Sequence, residues 1–508
     1  MLRRLGLAFA ASIFFAIVLA VPAYELAGGV WPGSGLDQPF SNDAIRRGEW
    51  TKAIEKDLSR RERVPGLIRG TYNEFMFRTF GHTPHEVLLG ADGWFFLGAS
   101  TRDFPVPLEK AALPRTAELI AATTRWFERN GTKVVVLFVP EKSSLLPDQV
   151  RAAEPTFSPM YDAGCEAFRA QRLAFIAPRP VLTKTGEPLY FQTHTHWTSD
   201  GAVAAAQLVV DRIVAHYGSP DLVPGVAIDG EIFQNGPRLH VGDLVKMLGL
   251  KDGGELERSL GVTTATIVGR DAKTKGLLDS KQPEDIVLVG TSYSHGYYLP
   301  SVFSALLDRR VENRAIIGRG PIVPLLQVAQ DALLGRRPFP KLMIWEVPER
   351  FLFVSAERDL RPPLDNLLRA TRYDPRTEVP VSADPGPVHN MQVTSVGNGE
   401  FDAVASSAAP QFTLLLREPI QGDGKRALVF EVKSPTPTML RVHFDVGAGF
   451  DGRTKFEAWQ IGYDAEQIVV VPLTTPNGAP IKALRIDPIS VQAAFHVGRL
   501  RLWSESPR

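Results

Sequence analysis

Two stretches of this chain hold residues of the types and spacing that serine-based acyl chemistry needs. The first is Gly290-Thr291-Ser292-Tyr293-Ser294, which follows the apolar run Ile286-Val287-Leu288-Val289 and precedes a helical pattern from Leu299 to Leu307. An apolar run rich in β-branched residues, then a glycine turn and a helix, reads as a buried parallel strand opening into a helix. A serine in that turn holds its hydroxyl at the carboxyl edge of the strand, where open α/β sheets gather their ligands. N–H groups of the turn and of the helix start face the same spot and can stabilise an oxyanion. Ser292 is therefore the candidate nucleophile; the competing role for Thr291, Ser292 and Ser294 is to cap the helix.

The second stretch is Thr193-His194-Thr195-His196-Trp197-Thr198-Ser199-Asp200-Gly201, just ahead of a strong helix that Ser199 is expected to cap. A loop histidine there can act as general base if the fold carries it to Ser292. His194 and His196, two residues apart on an extended segment, share one side and would also suit a metal pair. No Asp/His cluster elsewhere in the sequence obviously completes such a site, so no metal is expected. A purely structural place for both histidines is the other alternative.

The elements that must position these residues alternate between strand and helix. Helical spacing from Thr116 to Arg129 is closed by Gly131, and Val134 to Val139 is a buried strand ending at Pro140. A helix near Met160 to Gln171, a strand from Leu173 to Ile176 and the helix from Ser199 to His216 follow. Strands resume at Ile286–Val289, Ala315–Ile317 and Leu342–Val347, separated by helices near 299–308 and 323–334. Repeated βα units of this kind imply a parallel sheet covered on both faces. Residues 219–282 show little periodicity and are not placed. Leu89 to Gly98 is a hairpin around Asp92-Gly93. The composition then shifts at Tyr373: residues 373–388 are rich in Pro and Asp and read as a linker. Beyond them, short alternating segments between turns such as Gly422-Asp423-Gly424 and Pro476-Asn477-Gly478 suggest a β-sandwich or jelly roll over 389–508.

At 508 residues the chain exceeds one domain. Its net charge of +1, with no dense Lys/Arg run, argues against nucleic acid as a partner. Cys165 is the single cysteine, which excludes an intrachain disulfide and a cysteine-based zinc site. Arg3 and Arg4 precede an uncharged stretch from Leu5 to Tyr24, and Val21-Pro22-Ala23 offers a small-residue cleavage site. Residues 1–28 are thus a signal peptide or a retained inner-membrane anchor, and on either reading the remainder is exported to the periplasm.

Four motifs in order carry a family resemblance: Asp92-Gly93-Trp94-Phe95-Phe96-Leu97, His196-Trp197-Thr198, Gly290-Thr291-Ser292-Tyr293-Ser294 and Trp345-Glu346-Val347-Pro348-Glu349-Arg350. Over about residues 40 to 360 the chain resembles the alginate O-acetyltransferases AlgJ and AlgX, SGNH-hydrolase-like enzymes that acetylate exopolysaccharide in the bacterial periplasm. The resemblance implies an SGNH-hydrolase-like catalytic domain over 29–372 and a carbohydrate-binding-like domain over 389–508, similar to AlgX. It implies Ser292 as nucleophile and His196 as base. It also implies a polysaccharide acceptor, a multipass membrane O-acyltransferase as acetyl supplier, further exopolysaccharide assembly proteins as partners, and no cofactor.

In one position the chain departs from the family pattern, which is Asp-x-His-Trp: the Asp position is His194. A histidine cannot supply the negative charge that stabilises a protonated base. His194 thus stands at the third catalytic position without the usual chemistry. Either another acceptor such as Asp200 or Glu346 orients His196, or the chain is a weakened or non-catalytic member. Lys142, in a loop after a strand, and Tyr293 and Tyr297 are candidates for binding an acidic sugar, with Tyr298 beside them; an exposed loop lysine and core tyrosines are the plainer alternatives. Trp94 reads as core, and Glu346 with Arg350 as a structural ion pair. An exported acetylesterase is the rival enzyme, since it passes through the same acyl-serine.

Overall fold

The computed structural model describes residues 64–505 apart from 103–106, 184–188, 226, 228–231, 235–237, 265–267, 271–283, 296–298, 354–359, 398–399, 406–409, 434–437, 451–454, 461–465 and 489–493. The N-terminal signal or anchor segment lies outside the described residues. Among those described, no helix is long and apolar enough to cross a membrane.

Helix α1 (Val64–Phe80) leads into a hairpin of β1 (Val87–Leu89) and β2 (Phe95–Leu97), turned at Asp92 and Gly93, both at positive φ. Helix α2 (Pro107–Arg129) starts earlier than the expected Thr116 and carries Pro114 inside it. The chain then runs through β3 (Lys133–Val139), the short helix α3 (Lys142–Leu145), α4 (Tyr161–Ala170), β4 (Phe175–Ile176) and α5 (Ser199–Tyr217). Thr198, not Ser199, caps α5: its hydroxyl accepts the Gly201 N–H at 3.2 Å, and Gly218 closes the helix at φ 82.

The previously unplaced span contains the short helix α6 (Asp243–Met247), a second short helix Glu255–Ser259 and two small two-stranded sheets. Next come β5 (Ile286–Val289), α7 (Ser292–His295), α8 (Leu299–Leu307), β6 (Glu312–Asn313), α9 (Ile322–Leu333), β7 (Leu342–Pro348) and α10 (Arg361–Ala370). The strand expected at Ala315–Ile317 forms at β6 instead. Residues beyond it still follow β5, with Arg314 N–H donating to the Leu288 carbonyl and Ile316 N–H to that of Gly290.

Strands β6-β5-β7-β3-β4 form one parallel sheet in that order. Its central strands are buried on both faces, as their unbroken apolar sequences require. One face packs on α2, α4 and α9 through Phe127, Phe138, Phe168, Leu325 and Trp345; the other packs on α5 and α8 through Ala206, Val209, Leu288, Phe303 and Ile344. The candidate nucleophile follows from this layout, because Ser292 stands just past β5 at the edge where all five strands present their carboxyl ends.

Beyond α10 the chain is antiparallel β. Two sheets, of seven and five strands, face each other across a core that includes Phe430, Val432 and Val471 from one and Phe412, Leu440 and Ile486 from the other. The segment expected to be a linker is part of these sheets: β8 (Tyr373–Pro380) pairs with Arg501–Glu505, and β9 (Ala383–His389) pairs with Gln411–Gln421. Both are outermost in their sheets, the one place where prolines cost no ladder hydrogen bond. Ala370 and Tyr373 pack with Val429, Val470 and Trp503, and Asn366 donates to the Ile468 carbonyl at 2.9 Å, so the two parts of the chain share an apolar contact.

Candidate active site

Strand β5 ends at Val289, paired with Trp345 of β7, so Gly290 lies against the Glu346 side chain. A Cβ at Gly290 would come within 2.5 Å of Glu346 Oε2 and 2.8 Å of Ser294 Oγ, so only glycine lets the turn close over this carboxylate. Glu346 is fully buried and receives the Thr291 N–H at 2.6 Å, the Thr291 hydroxyl at 3.0 Å and the Ser294 hydroxyl at 3.1 Å. Burial pushes its carboxyl up to about 7, against the pull of those donors and of Arg350. Ser292 is the first residue of α7 and half-buried, with its neighbours held beneath it.

The base loop is built differently. Tyr190 and Trp197 form a single antiparallel bridge, Phe191 N–H donates to the His196 carbonyl at 3.1 Å, and Trp197 is fully buried. Inside this loop the Lys142 ammonium donates to the carbonyls of Phe191, Gln192 and His194 at 3.0, 3.0 and 2.8 Å. Burial pushes the Lys142 amine down to about 7, while Asp243 and Glu141 pull it the other way. Tyr293 closes the loop from the nucleophile side: its hydroxyl donates to the Thr195 carbonyl at 2.9 Å and its ring lies 4.6 Å from that of His196.

These two supports bring His196 Nε2 to 2.7 Å from Ser292 Oγ. For Nε2 to accept the hydroxyl proton it must be bare, which puts the ring proton on Nδ1. Around Nδ1 stand Thr195 Oγ1 at 2.9 Å, His194 Nδ1 at 3.0 Å and Asp243 Oδ2 at 3.4 Å. Asp243 itself is fixed by the Thr195 and Leu244 N–H groups, each at 2.8 Å, by a short hydrogen bond from the Thr195 hydroxyl, and by His194 Nδ1 at 3.2 Å. Burial alone would push the Asp243 carboxyl up, but the bonds and charges of His196, His194 and Thr195 outweigh it and hold the carboxyl well below the usual range.

Ser292, His196 and His194 therefore converge, and the acceptor sought at Asp200 or Glu346 lies elsewhere. Asp200 is exposed on the first turn of α5, and Glu346 is occupied with the nucleophile turn. Asp243, which faces His196, was missed. Its only sequence signal is a Gly242-Asp243 helix start in a span without periodicity, and nothing local ties it to position 196. The trio also supplies the third donor that a metal pair lacked, since donor atoms of His194, His196 and Asp243 lie within 4.8 Å of one another.

Lys142 is buried and spends its three protons on backbone carbonyls, so it supports the loop and is not a sugar contact. Tyr293 is likewise buried and braces the base. Tyr297, with Tyr298, lies outside the described residues. Trp94 packs beside Lys142, its ring centroid 5.6 Å from the ammonium. Arg350 pairs with Glu141 at 2.8 Å, not with Glu346.

Comparison with known proteins identifies the family and the fold. Residues 87–349, just over half of the chain, match the family described as the SGNH hydrolase-like domain of the acetyltransferase AlgX. A probable alginate O-acetylase AlgJ of Pseudomonas aeruginosa is 25% identical over 374 residues, covering 70% of this chain and 91% of that protein. The corresponding protein of Pseudomonas fluorescens is 27% identical over 361 residues, covering 68% and 87%. The solved structure of Pseudomonas aeruginosa AlgX shares the fold, with a TM-score of 0.52 at 17% identity over 83% of this chain and 94% of that one. The chain belongs to the AlgX family of SGNH hydrolase-like acetyltransferases.

Proposed function

We propose that this protein transfers acetyl groups to hydroxyls of an exported, alginate-like polysaccharide through an acyl-Ser292 intermediate. The observation that carries the reading is the 2.7 Å contact between Ser292 Oγ and His196 Nε2 at the carboxyl edge of the parallel sheet. In the first half-reaction the Ser292 oxygen bonds to the acetyl carbon while its proton passes to His196 Nε2, and the leaving group departs with that proton. The Ser292 N–H travels with the nucleophile and would hold the tetrahedral oxyanion. In the second half-reaction a sugar hydroxyl attacks the acetyl-serine, gives its proton to His196, and the Ser292 oxygen leaves and recovers it.

The acetyl would be supplied by a membrane-bound O-acyltransferase, with further exopolysaccharide assembly proteins as partners. The N-terminal basic and apolar stretch supports a periplasmic setting. The antiparallel domain is the candidate for gripping the polymer, because it gives a second rigid surface on the same chain.

Incubation with 4-nitrophenyl acetate followed by intact-mass measurement tests the reading. The wild type should gain one acetyl increment and Ser292→Ala should gain none, and adding alginate oligosaccharide should move the label onto sugar. An undiminished increment in Ser292→Ala would place the nucleophile elsewhere, and release of acetate alone, with no acetylated sugar, would make the protein an esterase.

A further inference from the structure

The family motif puts a carboxylate two residues before the base, and in this chain a histidine stands there. We infer that Asp243 is the positioning residue for His196: a relocated triad carboxylate, delivered by the start of α6 and coupled to the base through Thr195 and His194. The inference rests on the Ser292–His196 reading above and assigns a residue which that reading does not itself require.

Three features of the geometry carry it. Asp243 presents one oxygen to each histidine, Oδ1 to His194 at 3.2 Å and Oδ2 to His196 at 3.4 Å. Thr195 bridges it to the base: its hydroxyl gives its proton to Asp243 and keeps a lone pair for the His196 Nδ1–H at 2.9 Å. The backbone is shaped for this approach, because a Cβ on Gly242 would collide with the Thr193 carbonyl oxygen, so α6 can start against the base loop only behind a glycine.

Proton accounting assigns the parts. His194 Nδ1 lies 3.3 Å from the His196 backbone nitrogen, 3.0 Å from the His196 ring Nδ1 and 3.2 Å from Asp243 Oδ1, so it sits between the base and the carboxylate. When the Ser292 oxygen bonds to the acyl carbon and its proton moves to Nε2, His196 becomes an imidazolium. His194 can then align the ring but cannot offset its charge; the Asp243 carboxylate can. The groups facing this pair are His194, the Tyr293 phenol on the nucleophile side and the Lys142 ammonium behind the loop. On the acid side of about pH 7 Lys142 is cationic and opposes the imidazolium, which leaves Asp243 to favour it.

The test compares wild type, Asp243→Asn, Thr195→Val, Thr195→Ser and Ser292→Ala on 4-nitrophenyl acetate from about pH 5 to 9. Asp243→Asn should lower kcat by on the order of 10²-fold with little change in KM. This is less than the ~10⁴ lost when a carboxylate bonded directly to the base is removed. The acid limb of kcat/KM should move to lower pH, because a base without its anion gives up its proton more readily. A structural tie alone would leave that limb where it is. If Asp243→Asn does not fold, Thr195→Val should lose about tenfold and Thr195→Ser should restore it.

Asp243→Asn within about twofold of wild type with an unmoved acid limb, or equal rates in the two Thr195 variants, would overturn the assignment. A dead Ser292→Ala alongside would leave the acyl-serine reading standing; an active one would overturn that reading instead. Wild type should also be indifferent to EDTA. Loss of activity on chelation with recovery on added Zn²⁺ would overturn the assignment and make the trio a metal site.

Discussion

The nucleophile turn and the base loop meet across 2.7 Å, yet they are held by different means. Ser292 inherits its place from the sheet: β5 and β7 are paired in register, and Glu346 from the neighbouring strand ties down the residues on either side of it. The base loop has one isolated bridge and leans on remote side chains, the Tyr293 hydroxyl and the charged Lys142 and Asp243. A turn supported by ladder hydrogen bonds tolerates the loss of one more contact. A loop that depends on buried charge does not, because each lost partner strands groups that water cannot reach. Catalysis should therefore be more sensitive to changes under the base than to changes under the nucleophile.

Lys142→Met is the strongest way to break that comparison. It removes one hydrogen bond from each of three carbonyls, and for the buried ones of Phe191 and His194 the cost is about 1–3 kcal/mol each before relaxation. The expected result is a clear drop in melting temperature and a fall in kcat of about 10²-fold, measured at a temperature where the variant remains folded. Normal turnover in the folded variant would mean that the loop is held without Lys142.

His194→Asp restores the family motif and sharpens the role of the base support. The new carboxylate would stand beside Asp243, where like charges raise the cost of keeping both ionised. It should not improve turnover and should lower it by up to about tenfold. A gain over wild type would show that Asp243 does not serve the base.

The contrast also explains what the sequence made legible. Strand, glycine turn and helix at 286–307 are contiguous, so their apolar pattern located Ser292 and its edge of the sheet. The histidines were visible as residue types next to a helix start. Their supports were not: Lys142 and Asp243 lie 52 and 48 residues from the groups they serve, and each looks like an ordinary surface charge in its own neighbourhood. The supposed linker failed for a related reason. Proline and aspartate mark breaks in a central strand, but β8 and β9 are outermost, where pairing on one side is enough. Only the tertiary arrangement separates those cases.

On the nucleophile side, Glu346→Gln tests whether the sheet is sufficient. Three donors converge on Glu346, and a glutamine can accept at one oxygen while its amide N–H faces one of them. The Thr291 and Ser294 hydroxyls can rotate to accept from that amide. A loss in kcat of about three- to tenfold, with KM unchanged, is expected by steady-state kinetics. A loss as large as that of Lys142→Met would erase the asymmetry between the two halves.

The smallest expected effect on rate lies one layer further out, at Glu349. This residue is fully buried, accepts the Glu141 N–H at 2.9 Å and the Ser144 hydroxyl at 2.7 Å, and touches neither Ser292 nor His196. Burial pushes its carboxyl up to about 8, with the nearby Glu141 charge adding to the rise and hydrogen bonds from the Glu141 backbone, the Ser144 hydroxyl and the Met160 backbone opposing it. The folded state therefore holds a proton that the unfolded chain, titrating near the ordinary 4.5, has already released. Stability from this group is complete below about pH 4.5 and is lost as pH rises to about 8. Glu346 adds a similar decline that ends near pH 7. Glu349→Gln mimics the protonated form, so turnover should be unchanged while melting temperature falls less steeply between about pH 5 and 8, by a few degrees over that range. Parallel melting curves for wild type and variant would show that Glu349 stays ionised in the fold, stabilised by its donors against burial.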